Sequence, residues 1–359
     1  MSQREPLAIV GYAYRAPGVG GKGLWEFLEE GKSAWSPGVP PDRFNHDAYH
    51  HANAEKPGFI SSKGAHFLPD DIYAFDPSFF RISAEEARSM DPQHRLLLEC
   101  AFEAVENAGL PLPDLLGSRT GVFAAGVESE YNISMSDDLA TSTKYMLLGI
   151  SPTMFANRLS YFFGLTGPSI TVDAACASSS HVLHLACQSV LSGECPTAIV
   201  GGAKLHNGPN QWSGLDTMGC VYPFTPTISR RILYTKAQEH STLSPEGKCF
   251  SYDKRASGFG KGEGAGCIII KRLSDALACG DAVRAVIRNT ACNHSGRTQG
   301  ISMPSRAGQE ELLARLHREI GMEPSDTSFV EVSRADAFFF FWNRSVVKLA
   351  FCTLPLRRG

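Results

Sequence analysis

A chain of 359 residues, 43% of them hydrophobic, can bury one large core or two domains of roughly 150 to 200 residues. Its net charge of −3 gives no electrostatic reason for nucleic acid or an anionic membrane as partner, and its longest apolar run, Ala337 to Trp342, is too short to span a bilayer. Ten cysteines without a C-x-x-C pair or metal-ligand spacing suit free thiols in a reducing compartment, and no basic start leads into an apolar stretch as a secretory signal does, so the expectation is a soluble, cytoplasmic α/β chain.

In chain order, Ala8-Ile9-Val10 reads as a strand running into Gly11, and Leu24 to Glu30 as a short helix. Ser83-x-x-Glu86 is a capping box that opens one helix, and Asp91-Pro92 opens a longer one with proline at its first position. That longer helix turns Leu97, Ala101, Ala104, Val105 and Ala108 inward and ends at Gly109. Gly121 to Ala125 is a strand, and Gly167 to Val172 reads as a short buried one. Val182, Leu183, Ala186 and Val190 then recur at helical spacing until Gly193. Ala198 to Gly202, Cys267 to Lys271 and Val283 to Ile287 complete the strands. Alternating strands and helices predict helical layers around mixed or parallel sheets.

Two segments break the pattern. From Val221 to Thr242 periodicity fades while Arg230, Arg231 and Lys236 face only Glu239. From Val332 to Gly359 it fades again, with Arg334, Arg344, Lys348, Arg357 and Arg358 against Asp336. A basic loop and a solvated tail would be the plain account, but Phe338-Phe-Phe-Phe-Trp342 is an aggregation hazard when uncovered.

The most informative stretch is Thr171-Val-Asp-Ala-Ala-Cys176-Ala-Ser-Ser-Ser180, a β-branched run ending in a cysteine with an apolar helix directly behind it. A thiol at a strand-to-helix junction meets unpaired backbone N–H groups and the positive end of the helix dipole, which favour a thiolate and can hold an oxyanion on a thioester carbonyl. An inert buried thiol is the commoner fate of a free cysteine, and the local context argues against it here. Gly258 to Gly266 contains a G-x-G-x-x-G/A pattern, yet it leads into the strand Cys267-Ile-Ile-Ile270 instead of following a strand and opening a helix. Close backbone packing beside the cysteine is the better account of it. His94, His181, His184 and His294 read as packing or surface residues, and no G-x-S-x-G, H-E-x-x-H or P-loop occurs.

Taken together, these motifs resemble the ketosynthase domain of an iterative type I polyketide synthase, most like the fungal highly reducing type. The matching stretches are Pro6-Leu-Ala-Ile-Val-Gly11, Phe75-Asp-Pro-Ser-Phe-Phe80, Met90-Asp-Pro-Gln-His-Arg-Leu-Leu-Leu-Glu99, Ala156 to Ser169, the Cys176 motif and Leu185-Ala-Cys-Gln-Ser189. Leu243-Ser-Pro-Glu-Gly-Lys-Cys249, Gly262-Glu-Gly-Ala-Gly266 and Lys271-Arg-Leu-Ser-Asp-Ala276 follow. Ala174 and Ala177 stand where the family more often has Thr and Ser. The resemblance implies a thiolase-like layered fold (α-β-α-β-α), usually a homodimer. It implies that Cys176 is the acyl-thioester nucleophile, its backbone N–H forming part of the oxyanion hole. The cysteine takes an acyl chain from the phosphopantetheine arm of an acyl carrier protein, and a malonyl thioester then loses CO₂ and attacks the acyl-cysteine. No cofactor is bound directly, and no metal, nucleic acid or membrane is implied.

The resemblance also implies two histidines, one in a His-Gly-Thr-Gly-Thr stretch after a Val-Glu-Ala lead and one in an Asn-x-Gly-His stretch. Here the lead, Phe329-Val330-Glu331, turns into Val332-Ser-Arg-Ala-Asp336, and neither histidine stretch is present. Residues 5–277 then correspond to the N-terminal ketosynthase domain with an anomalous insertion at about 221–242. Residues 278–331 correspond to a truncated start of the C-terminal domain, and 332–359 to a tail outside the family. Introns carried into translation would account for both oddments, a hypothesis motivated by an insertion of about 22 codons and by Val332-Ser333, which a splice-donor sequence can encode. The expectation is a β-ketoacyl synthase that is inactive in condensation as written. The alternative is a non-condensing remnant that only loads acyl groups or binds a carrier protein or sister chain. A thiol hydrolase using another histidine is a third reading, without a base motif of its own.

Overall fold

The computed structural model describes residues 5–19, 23–53, 56, 58–127, 130–136, 143–218, 243–251, 253–298, 304–333 and 347–349. The segment 221–242 and most of 332–359 lie outside the described residues.

The elements run β1 (Leu7–Arg15), α1 (Leu24–Glu29), β2 (Trp35–Pro37), α2 (His46–Tyr49), β3 (Gly64–His66), α3 (Ala84–Ser89), α4 (Pro92–Asn107), α5 (Leu112–Leu115) and β4 (Gly121–Ala125). Then come α6 (Glu130–Ser136), α7 (Met146–Ile150), α8 (Met154–Phe163), β5 (Ser169–Val172), α9 (Ser178–Ser192), β6 (Thr197–Lys204) and α10 (Asn210–Met218). The last are β7 (Gly264–Arg272), α11 (Leu273–Cys279), β8 (Ala285–Ile287), α12 (Arg306–Ile320), β9 (Glu331–Ser333) and β10 (Val347–Leu349).

Six strands form one mixed sheet in the order β5-β4-β6-β7-β1-β8. Strands β5, β4 and β6 are parallel, while β7 runs antiparallel to both β6 and β1. Side chains alternate across a strand, so each strand feeds both faces. On one face Ala8, Val10, Val122, Ala124, Ile199, Cys267 and Ile269 pack with Leu97, Ala101, Ala104 and Val105 of α4 and Phe155 and Leu159 of α8. On the other, Leu7, Ile9, Phe123, Ala198, Val200 and Ile270 pack with Val182, Ala186 and Val190 of α9. The result is a sheet between two helical layers, the layering expected of the thiolase-like α/β class. Among the described residues, the remaining strands form two-stranded pairs, β2 with β3 and β9 with β10.

The local signals account for the main helices. The Ser83 hydroxyl accepts the Glu86 N–H at 3.1 Å ahead of α3. The Asp91 carboxylate accepts the Gln93 N–H at 2.8 Å with Pro92 leading α4. Gly193, at φ 80°, closes α9 in the left-handed conformation that glycine adopts without a Cβ clash.

One expectation is corrected. β5 is not buried, because the strand order puts it at the sheet's margin, where Ile170 is 41% exposed. Among the described residues no helix is long and apolar enough to cross a membrane.

Candidate active site

The topology gathers one set of strand ends along a single margin of the sheet. The carboxyl ends of β5, β4 and β6 lie together because these strands are parallel, and the start of β7 joins them because Gly264 pairs with Lys204. Residues just beyond β5, just beyond β6 and just ahead of β7 therefore meet there, the usual place for a site in such a sheet.

Cys176 follows β5 on a one-turn 3₁₀ helix, Ala175–Ala177, that leads into α9. Its thiol is free and solvent-exposed. The backbone reaches this position through a bend that a clamp of hydrogen bonds holds. Asp173 Oδ1 accepts the Ala175 N–H at 2.9 Å, and Ser178 Oγ accepts the Ala174 N–H at 2.8 Å while donating to the Ala175 carbonyl at 2.7 Å. The clamp holds Ala175 at φ 50°, a left-handed conformation that costs an alanine roughly 1–2 kcal/mol. The Ala177 N–H bonds the Ala174 carbonyl at 3.1 Å. Such strain fits a site where a side chain must be presented outward, at the positive end of α9.

Charged groups line the same margin. Glu263 is a fully buried carboxylate satisfied four times: by Arg43 Nε and Nη2, both at 2.9 Å, by the Leu68 N–H at 3.0 Å and by the His206 N–H at 3.1 Å. Lys204 Nζ donates to Gln211 Oε1 at 2.7 Å, and Glu130 Oε1 accepts the Gln211 N–H at 2.8 Å. Asp216 is engaged by the Ser61 N–H and hydroxyl. The Lys261 side chain reaches inward, its residue only 8% exposed, with Nζ 5.6 Å from the centre of the Trp212 ring. Burial pushes the Lys261 ammonium down to about 8; Lys204 pushes the same way, and the charges of Glu130, Cys176 and Asp216 oppose it. Burial likewise lowers Lys204. His206 is 3% exposed, and burial holds it well below its ordinary value, so the ring is neutral. Its Nε2 lies 3.2 Å from the Gly262 carbonyl and therefore carries the proton, which leaves Nδ1 without a partner.

Lys204, His206 and Lys261 escape the sequence reading. Their signal is positional: each is a polar residue at the end of an apolar strand or in the loop entering one. The glycine-rich loop around Lys261 does pack backbone on backbone. Gly258, at φ 141°, approaches the Leu243–Ser244 peptide so closely that a Cβ would lie 2.4 Å from the Ser244 nitrogen. The four histidines read in the sequence as packing or surface residues make local contacts. His94 is buried against Phe155 with ring centres 4.4 Å apart, His181 bonds the Ala177 carbonyl, His184 meets Thr290, and His294 accepts the Gly296 N–H.

Comparison with known proteins identifies relatives of the chain in sequence and in fold. The family described as "Beta-ketoacyl synthase, N-terminal domain" matches residues 4–231 and 225–276, two stretches that meet inside the 221–242 segment. The highly reducing polyketide synthase valA of Aspergillus terreus is 56% identical over 328 residues, which is 91% of this chain and 12% of that protein. The highly reducing polyketide synthase Preu5 of Preussia isomera is 47% identical over a similar span, again 12% of its length. The chain thus spans about an eighth of these relatives. Among solved structures, a ketosynthase domain of Streptomyces albus oxazolomycin biosynthesis superposes with a TM-score of 0.79 at 33% identity, covering 90% of this chain and 51% of that one. The module 6 ketosynthase of the Bacillus subtilis bacillaene synthase gives 0.75 at 32% identity, with 90% and 50% covered. In sequence and in fold, the chain belongs to the β-ketoacyl synthase family and carries the thiolase-like ketosynthase architecture of polyketide synthases.

Proposed function

We propose that Cys176 receives the growing acyl chain in polyketide elongation. The observation that carries this is an exposed thiol presented by a strained, hydrogen-bonded bend at the start of α9. In the proposed step the Cys176 thiolate attacks the thioester carbonyl on a carrier protein's phosphopantetheine arm. The oxyanion forms against the Cys176 N–H, the carbon–sulfur bond to the arm breaks, and the arm's sulfur leaves as a thiolate that takes a proton from water. Covalent capture divides a difficult acyl transfer into two easier ones. Condensation then requires a malonyl thioester to lose CO₂ and its carbanion to attack the acyl-cysteine.

That second half-reaction depends on groups absent from this sequence. None of its 11 histidines stands in either of the two histidine stretches of the family. Loss of general acid–base help costs roughly 10²- to 10⁴-fold. The reading is therefore a chain competent to load Cys176 and deficient in condensation, with residues 5–277 as N-terminal ketosynthase domain, 278–331 as the start of the next and 332–359 foreign to the family. The junction of the two family matches at 225–231 supports an insertion at 221–242. The β5 edge, unpaired among the described residues, supports a sister chain as partner, because such an edge invites another strand.

Incubation with acyl- and malonyl-carrier substrates, followed by peptide mass spectrometry, tests the reading. Acyl-Cys176 without ketide product is expected, together with its loss in Cys176→Ser. Ketide formation would show condensation after all, and release of free acid would favour a hydrolase. Transcript reads that run unbroken through 221–242 and 332–359 would overturn the intron account.

A further inference from the structure

We propose that Lys204, Lys261 and the Asn207 carboxamide form an anion site beside Cys176 that takes the free carboxylate of a malonyl-class acyl thioester. The inference rests on the reading of Cys176 as an acyl acceptor and assigns residues to its carboxyl-bearing substrate.

Both lysines project from the margin that carries Cys176: Lys204 ends β6, and Lys261 lies three residues ahead of Gly264, the partner of Lys204. The Lys261 ammonium feels both the Lys204 charge and that of Cys176. Placing two like charges in a water-poor site is unfavourable unless an anion joins them. The described carboxylates whose charges reach the two lysines hydrogen-bond to other groups: Glu130 to the Gln211 N–H, Asp216 to Ser61, Asp91 to Gln93 and Asp173 to the Ala175 N–H, while Glu263 is paired with Arg43. Neither lysine forms an ion pair within 4.0 Å among the described residues.

A second observation is independent of the lysines. Immediately after β6, the Asn207 side chain has both Oδ1 and Nδ2 buried without a partner, and so does Nδ1 of the deeply buried His206. Orphaned polar atoms are uncommon in a native interior, and such a cluster asks for a ligand. A carboxylate accepts from both ammonium groups and from Asn207 Nδ2. A remaining N–H of Lys261, the cation that acts most strongly on His206, can then turn to the Nδ1 lone pair. Charge-assisted bonds of this kind are the strong ones.

The test measures the rate at which iodoacetamide alkylates Cys176, by peptide mass spectrometry on the full chain, with malonate, inorganic phosphate or neutral acetamide present. Malonate is expected to protect Cys176 in the unaltered chain, and acetamide not to. The apparent malonate affinity should fall about tenfold or more in Lys204→Met and in Lys261→Met. The exposed control Lys32→Met should stay within about twofold. Equal protection in all variants, or phosphate protecting as well as malonate, overturns the proposal.

If a variant does not fold, pH provides the test in the unaltered chain. The ratio of rates with and without malonate cancels the ionisation of Cys176 itself. Protection should fade as pH rises through about 8 and Lys261 loses its charge among Lys204, Glu130, Asp216 and neutral His206. Protection unchanged from pH 7 to 9 counts against the site. A parallel arm with an acetyl thioester separates the two claims. Acetyl-Cys176 without malonate protection refutes only the anion site, whereas no acetyl-Cys176 refutes the underlying reading.

Discussion

At the scale of single residues, the Glu263 carboxylate ties three distant parts of the chain together. Arg43, Leu68 and His206 all bond to it, and its side chain is fully buried. Removing one partner of a buried pair strands the other, so Glu263→Gln should lower unfolding free energy by about 3 kcal/mol, read from urea denaturation. A gain or no change would mean that Arg43 finds enough in Asp42, its other carboxylate contact. His94 makes a prediction about acid. Burial, aided by Arg158 and Arg95, pushes it down to about 4, with Asp91 opposing. The unfolded chain therefore binds the proton more readily between the ordinary value of 6.5 and 4, and stability falls as pH drops through that window. His206 adds to the fall in the same direction. In His94→Gln the urea midpoint should decline less steeply between pH 6.5 and pH 4 than in the unaltered chain.

Among the elements, burial is unevenly shared. Helix α4 buries ten side chains, including Leu97, Leu98, Ala101 and Val105, whereas α12 buries none. Local opening is easiest where few apolar contacts are lost. Amides of α12 should therefore exchange with solvent much faster than those in the middle of α4 and α9, as hydrogen exchange with mass spectrometry can show; matching protection would imply that α12 is held by contacts its burial does not reveal. The same unevenness explains what could be read from sequence. α4 was legible because its inward stripe repeats at helical spacing, and β1, β4, β6 and β7 because each is a compact apolar run. The Cys176 bend was legible because strand, cysteine and helix are contiguous. The exposure of β5 was not, since strand order is decided by partners far away in sequence. Nor were Lys204 and Lys261, which become neighbours only when β6 pairs with β7 across a separation that no local pattern records.

Across the whole molecule, large apolar side chains remain at the surface, among them Tyr161 at 87% exposed, with Leu147, Leu116, Trp25, Leu277 and Phe329. Covering such side chains against another surface removes apolar area from water, which is favourable. The chain should associate as concentration rises, seen as a growing sedimentation coefficient; a single monomeric species that unfolds cooperatively at every concentration would refute this. The sheet order also sets a timetable. β1 lies between β7 and β8 and pairs Leu7 with Arg272, so this strand has no partner in the sheet until β7 has been synthesised. At about 5–20 residues per second, that wait lasts roughly tens of seconds. Leu7, Ala8, Ile9 and Val10, all buried in the finished sheet, spend it uncovered. A growing chain must be sheltered through that interval, and Cys176 is synthesised well before Lys261.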